Sequence, residues 1–363
     1  MAPIRPRAAP TLRQIARAAG VSISSASHIL NGRSIRYSRA TRARVETFAR
    51  RLGYRPNRYA QAMRRRRSGV IGILQHAGLL QAAAQKANQA ALAVVTAGYE
   101  VLNADVLWRP QGVQMACSSM LDARVEGLLL VDPPASFPPS ELRRFRSAGI
   151  PVVALGGARF AGVPQVRVDA RQGMREIARH LLELGHRRLC LLIPRMLDGR
   201  NADVSWPSIE RAQGFREAHA RARLAPGPEA ILQAETPNEA MHPYQNGRAA
   251  VRDLLRRPRL PHAVLCSNDD WAVGALNACA EQRIRVPEDL AITGFDNSMI
   301  GEFGMVPLTT FAQPIETMAR RAVEILTRLI HGGRLRPDDH LVRLSGELIV
   351  RRSCGASFSP KPA

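Results

Sequence analysis

The stretch Thr11–Asn31, TLRQIARAAGVSISSASHILN, decides how the rest of the chain is read. Leu12, Ile15, Ala16 and Ala19 recur at the spacing of one helical face, and Gly20 follows as the left-handed residue that ends a helix. Ser22 or Ser24 can cap a second helix, whose Ala26, Ile29 and Leu30 face back toward the first. Ser24, Ser25, Ser27 and His28 are then left partly outward, a row of small polar side chains. Two short helices joined by a glycine turn form a helix-turn-helix, which lays its second helix on DNA. An ordinary helical hairpin has the same periodicity, so the charge of the surrounding chain must decide between them.

That charge is uneven. Residues 1–67 hold seventeen arginines, no lysine and one acid, Glu46, a net +16; the remaining 35 bases and 29 acids carry +6 of the total +22. A basic end of this kind gains affinity for polyanions by releasing counterions from each phosphate it neutralises, while base choice must come from the recognition helix. Across the whole chain 50 of the 52 basic residues are arginine, which in part reflects genomic base composition, but the asymmetry does not depend on that.

The 363 residues, 45% hydrophobic and 23% charged, describe a soluble globular protein with room for two domains or more. No apolar run approaches a membrane span, and the first ten residues (MAPIRPRAAP) lack the apolar core of a signal peptide, so a cytoplasmic location without a membrane partner is expected. Cys117, Cys190, Cys266, Cys279 and Cys354 are odd in number and scattered, with no CxxC pair. They read as buried free thiols rather than a disulfide frame or zinc site, and neither a metal nor a cofactor is implied.

Residues 1–10 form a Pro- and Arg-rich arm, expected to be disordered. The headpiece spans 11–55; its third helix starts at Ser38, runs through Val45, Phe48, Ala49 and Leu52, and ends at Gly53. Ile15, Val21, Ile29, Val45, Phe48 and Leu52 are its expected core. Residues 56–68 form a hinge segment in which Pro56 fixes a bend and Asn57 can cap a short helix. From 69 to 353, short apolar runs (VIGIL, YEVL, VEGLLLV, IPVVAL) alternate with helical stretches at 82–97, 112–122 and 140–148, the signature of parallel βαβ units. A second set (RLCLLI, AVLC, LAITGF) alternates with helices near 206–222, 244–257 and 270–283. Two doubly wound lobes result, with the cleft outside the carboxyl ends of their strands as the default pocket. Residues 354–363 read as a flexible tail.

The blocks AGVSISSASHILNG, LGYRPNRYAQAM, HLLELGHRR, SNDDWAVGAL, VPEDLAITGFDN, PLTT and ELIVRRS occur in this order between Thr11 and about Ser353, and together they resemble the lactose-repressor (LacI) family of bacterial transcription regulators. The resemblance implies a multidomain protein: an all-α helix-turn-helix headpiece, a hinge helix, and an α/β two-lobed core like that of periplasmic binding proteins. It implies a repressor that binds double-stranded, palindromic operator DNA as a homodimer and responds to a small carbohydrate-like effector. Dimerisation also suits the geometry, because one small recognition helix makes few base contacts and two half-sites multiply specificity. The tail has no leucine heptad, so a dimer is favoured over a tetramer.

By position, the resemblance assigns DNA contacts to Ile23, Ser24, Ser25, Ser27, His28 and Asn31, and in the hinge to Asn57, Arg58 and Met63. His28 stands where the family usually has arginine; histidine is shorter and makes only one hydrogen bond from a given ring nitrogen. Ala26 replaces the usual valine. Met63 aligns with a leucine that wedges into the minor groove at the operator centre, and Arg58 and Arg64–Arg67 are expected on phosphates.

Effector contacts are expected from His76, Arg211, Asn268 and Asp296. Asp269 can instead cap the following helix. The family's aromatic stretch after the first core strand is replaced by QHAGLLQAAAQ, and Ile209 stands where sugar-binding members carry arginine. A hexose, a sugar acid, or no small ligand all fit these departures. Trp206 and Trp271 lie near cleft-forming segments but read as core packing. Enzyme signatures such as a GxSxG elbow, a P-loop or HExxH are absent, which with the basic headpiece disfavours an enzyme; the same headpiece disfavours a solute-binding protein.

Overall fold

Thr11 opens the first helix with a reciprocal cap: the Gln14 N–H donates to its hydroxyl (3.3 Å), and its own N–H donates to Gln14 Oε1 (2.7 Å). Helix α1 (Leu12–Ala19) ends at Gly20, whose φ of 62° is the left-handed conformation that a side chain would strain. Ser22, not Ser24, caps α2 (Ile23–Leu30) by accepting from the Ser25 N–H at 3.0 Å. Ser38 caps α3 (Arg39–Arg51) by accepting from Thr41. Ile15, Ala16, Ala19, Ala26, Ile29, Val45 and Ala49 form the buried core, the alanines letting three helix backbones approach. Leu52 does not join it. It follows the last turn of α3 and is 43% exposed, while Tyr37 and Tyr54 join Phe48 at the core margin.

The computed structural model describes residues 10–30, 37–54, 67–75, 81–106, 110–194, 206–227, 230–234 and 243–356. The chain separates into two compact units, 1–68 and 69–363. The expected hinge helix and the residues Asn31, Asn57, Arg58, Met63 and His76 lie outside the described residues.

In the larger unit, the first lobe winds β1 (Val70–Gln75), α4 (Gln81–Thr96), β2 (Glu100–Asp105), α5 (Pro110–Asp122), β3 (Gly127–Val131), α6 (Pro139–Ser147), β4 (Val152–Leu155) and β5 (Gln165–Val168). The second contains α7 (Ala170–Glu183), β6 (Leu189–Pro194), α8 (Trp206–Arg221), β7 (Ile231–Ala234), α9 (Pro243–Leu254), β8 (Ala263–Cys266), α10 (Asp269–Glu281), β9 (Ala291–Thr293) and α11 (Met299–Glu302). The chain then runs through β10 (Thr310–Ala312), returns to the first lobe as α12 (Ile315–Ile330) and β11 (Leu341–Leu344), and goes back as β12 (Glu347–Ile349). The six-stranded first sheet has order β11-β5-β4-β3-β1-β2 and the four-stranded second β7-β6-β8-β9, both parallel; β10 and β12 make a separate antiparallel ribbon.

Helices on both faces bury the strands, which is why β3 reads GLLLV with every residue buried. One continuous apolar cluster joins the lobes, from Ile71 and Leu129 through Met174 and Leu191 to Phe295 and Met318. The expected flexible tail starts later than its sequence implies. Cys354 is fully buried in this cluster, because the turn Arg352–Cys354 is held by the Ser353 hydroxyl donating to the Ile292 carbonyl at 2.5 Å. All five cysteines are buried free thiols. No helix among the described residues is long and apolar enough to cross a membrane.

Candidate functional site

On the headpiece, α2 turns Ile23, Ser24 and His28 outward, with Ser25 half-buried. The Ser25 hydroxyl is within 2.9 Å of the Ser22 hydroxyl, so it is partly committed to the cap. Ser27 departs from the sequence reading. It is only 5% exposed, on the flank of the inward stripe beside Ala26. His28 Nδ1 lies 3.2 Å from the Tyr37 hydroxyl, which fixes the ring and leaves Nε2 as the nitrogen available to a partner. With one nitrogen engaged, His28 makes at most one directed bond to a base edge. Arg13, Arg17, Arg39, Arg44, Arg50 and Arg51 are exposed around these helices, the composition of a phosphate-binding surface.

In the core, the carboxyl ends of β3, β4 and β5 face the first turns of α7 and α8 across a cleft that is partly open to solvent. Its charged lining is Lys86, Asp132, Arg167, Glu210 and Arg211, with Gln313 and the Gly156–Gly157 turn. Lys86, on α4, donates to both oxygens of Asp132, at 3.0 and 2.8 Å. Gly156 has φ 75°, and a Cβ there would meet Asp132 Oδ1 at 2.0 Å; the turn needs glycine for the carboxylate to lie against it. Arg167, from β5, is ion-paired with Glu210 of α8, which also accepts from Arg343 at 3.3 Å. That pair ties one lobe to the other at the cavity wall.

Arg211 is different. It is 8% exposed, its guanidinium carbon stacks 4.3 Å from the centre of the Phe295 ring, and its Nε is buried with no hydrogen-bond partner. Burial lowers its pKa, opposed by the fields of Asp296, Glu210 and Asp132. Asp296 sits one layer behind the cavity, accepting from Gln313 Nε2 at 2.5 Å, with a backbone φ of 129° that only a well-braced residue keeps. Burial first, then the neighbouring Asp269 carboxyl, push the Asp296 carboxyl well above the ordinary range. Gln313 Oε1 is buried without a partner and belongs to the cavity lining.

Asn268 caps α10, its Oδ1 accepting from the Trp271 N–H at 2.8 Å. Asp269 therefore does not serve as the cap; it accepts from the Ser298 N–H and the Thr310 hydroxyl, both at 2.6 Å, and braces the loop that presents Asp296. Trp271 is buried in the second lobe's core. Ile209 is half-buried and does not line the cavity, whereas its helical neighbours Glu210 and Arg211 do.

Sequence reasoning thus placed Arg211 at the cavity and Asp296 just behind it, and missed Lys86, Asp132, Arg167, Glu210 and Gln313. One signal was available: Lys86 and Lys361 are the only lysines in the chain, so Lys86 is a lysine kept where nearly every other basic residue is arginine. The others come from separate strands and helices and carry no local pattern. Among the described residues no cluster of side chains could hold a metal ion.

A polar, exposed second helix on a basic three-helix headpiece, joined to a two-lobed α/β core with a charged cleft, defines a DNA-binding regulator with a ligand-binding core. Comparison with known proteins agrees: residues 11–57 match the family of bacterial regulatory proteins of the lacI type, and 178–354 match a periplasmic binding protein-like domain. The transcriptional regulator CelR of Thermobifida fusca is 31% identical over 367 residues, covering 96% of this chain and 99% of that protein. The structure of the CelR–cellobiose complex superposes with a TM-score of 0.67 at 28% identity, covering 95% of this chain and 99% of that one. The Lac repressor dimer bound to operator and the anti-inducer ONPF has the same fold, with a TM-score of 0.78 at 24% identity over the same shares. The chain belongs to the LacI family of transcription regulators.

Proposed function

We propose that this regulator is a repressor that grips a two-fold operator as a homodimer and is modulated by a small polyhydroxylated effector held between the lobes of its core. The observation that carries the effector is the pair of buried polar atoms at the cleft, Arg211 Nε and Gln313 Oε1, that have no hydrogen-bond partner. Leaving such groups unsatisfied costs about 1–3 kcal/mol each, a cost that a ligand bearing both an acceptor and a hydroxyl donor removes. The cellobiose of the CelR complex supports a carbohydrate-like molecule.

The homodimer is supported by apolar side chains left exposed on both lobes: Leu92, Val95 and Met115 on the first, Met299, Phe303 and Met305 on the second. The partner proposed to cover them is a second copy of the chain, and the operator-bound Lac repressor is a dimer of the same fold. In this reading Ile23, Ser24, Ser25 and His28 meet the major groove. The headpiece is 11–55, and the segment 56–68, with Asn57, Arg58 and Met63, is the hinge that couples the cleft to DNA.

The test is an operator selected from a random DNA library with the full chain, followed by anisotropy titrations with and without a panel of carbohydrates. The expected selection is a palindrome bound by two chains, with affinity changed about 5- to 150-fold by one panel member. A single asymmetric half-site bound by one chain overturns the dimer, and no affinity change with any member leaves an effector-independent regulator.

A further inference from the structure

The charge of the cleft goes beyond its shape. Its described ionisable lining is three cations, Lys86, Arg167 and Arg211, against two carboxylates, Asp132 and Glu210. Lys86 is held by Asp132 and Arg167 by Glu210, so both lining carboxylates already have cationic partners. Arg211 makes no hydrogen bond or ion pair among the described residues; its contact is the face of Phe295. The Asp296 carboxyl lies near enough for its field to act on Arg211 but makes no ion pair with it; it accepts from Gln313, and its burial beside Asp269 raises its pKa. A buried guanidinium without a carboxylate partner is costly in any protein, and among the described residues of the cavity wall Arg211 is the cation left in that state.

From this we infer that the effector is a polyhydroxy monocarboxylate, of the aldonic or uronic acid class, whose carboxylate binds the Arg211 guanidinium and whose hydroxyls bind Asp132 and Gln313. The inference rests on the reading of the cleft as the effector site. A planar carboxylate is the anion that matches a guanidinium edge with two parallel hydrogen bonds. Asp132, braced by Lys86 and laid against Gly156, has acceptor capacity left for hydroxyl donors, and Gln313 Oε1 needs one. The first turns of α7 and α8 both reach the cavity wall, through Ala170 and through Pro207 and Glu210, and the N-terminal ends of helices favour a negative charge.

The experiment is thermal unfolding of the full-length protein, followed by calorimetric titration of every ligand that raises the midpoint. The panel is hexonates and hexuronates beside the matching neutral hexoses, hexitols and hexose 6-phosphates. The expected result is stabilisation by at least one acid and a Kd at least about tenfold below that of its neutral counterpart, the scale of one charge-assisted hydrogen bond. In Arg211→Gln that preference should vanish, the acid losing at least about tenfold more affinity than its neutral counterpart. Arg211→Lys, which keeps the charge but not the fork, should bind the acid more weakly yet still prefer it, so a folding defect in one variant does not decide the matter. A neutral sugar bound more tightly than its acid, or a hexose phosphate bound more tightly than every carboxylate, overturns the inference and leaves the effector site standing. An acid preference unchanged in Arg211→Gln removes Arg211 as its cause. If no member of the panel stabilises the protein, the small-effector reading falls and the inference with it.

Discussion

In the headpiece the charges lie outside and the helix ends are satisfied locally: Arg13, Arg17, Arg44 and Arg50 are exposed, and the helix caps Thr11, Ser22 and Ser38 each bond a residue three positions away. At the cleft the charges lie inside and are satisfied at long range: Lys86 pairs with a residue 46 positions away, and Glu210 with residues 43 and 133 positions away. The first arrangement costs little to build and is ready for a polyanion. The second is costly unless every charge is matched, so one mismatch, at Arg211, points to a ligand. A surface for DNA can be read as composition, whereas a site for a small molecule must be read as a balance of individual charges.

The sharpest way to break this contrast is Glu210→Ala. Removing one member of a buried ion pair costs about 3–5 kcal/mol, and here two arginines lose their shared carboxylate. Urea unfolding followed by core tryptophan fluorescence should show that loss. A change under about 1 kcal/mol would mean that the pair is solvated in solution and the cleft resembles the headpiece surface after all.

Ile15→Ala addresses the other region. Ile15 is fully buried in a core of a few side chains, and the substitution should cost about 2–5 kcal/mol, enough to unfold so small a domain. Operator binding should be lost while the thermal transition of the core stays where it was. A core transition that moves with it would show that the two units do not unfold separately.

Asp296→Asn tests the buried charge balance through pH. The folded protein keeps a proton on this carboxyl that the unfolded chain gives up above about pH 4. Its contribution to stability therefore falls as pH rises from there toward the raised folded value of about 8. Asparagine cannot ionise and can still accept from Gln313 Nε2. Midpoints of the two proteins at pH 5 and pH 8 should diverge in favour of the variant as pH rises; a constant difference would place an ionised carboxylate in the fold already at pH 5.

The smallest effect is expected from Tyr37→Phe, which deletes the hydroxyl that holds His28 Nδ1. Freed to swing and to change tautomer, His28 should discriminate less at its base position, by about 1 kcal/mol, with non-specific DNA affinity unchanged. Competition between operator variants at that position measures it. Equal loss on specific and non-specific DNA would make Tyr37 a packing residue.

Much of the fold was legible because its signals are local. Periodicity marked α1, α2 and the strands VIGIL and GLLLV, and the residues that end helices were the expected ones at Gly20 and Ser38. Local signals failed where packing chose between equivalent positions: Ser27 turns in and Leu52 turns out, although their side chains favour the reverse, because the three-helix core takes small residues at the crossing and Tyr54 packs on its margin beyond α3. In the core, Asn268 took the capping role expected of Asp269, because the Asp269 carboxyl finds better donors in Ser298 and Thr310, which no local pattern brings near it.

By itself, the sequence determined that this chain carries a basic helix-turn-helix ahead of two βαβ lobes, since helix and strand periods, turn glycines and net charge are properties of neighbouring residues. Only the tertiary structure decided what the cleft requires. Whether an arginine is matched or unmatched depends on which carboxylates the folded sheets bring within a few ångströms of it, and at Arg211 the described residues bring none close enough to pair.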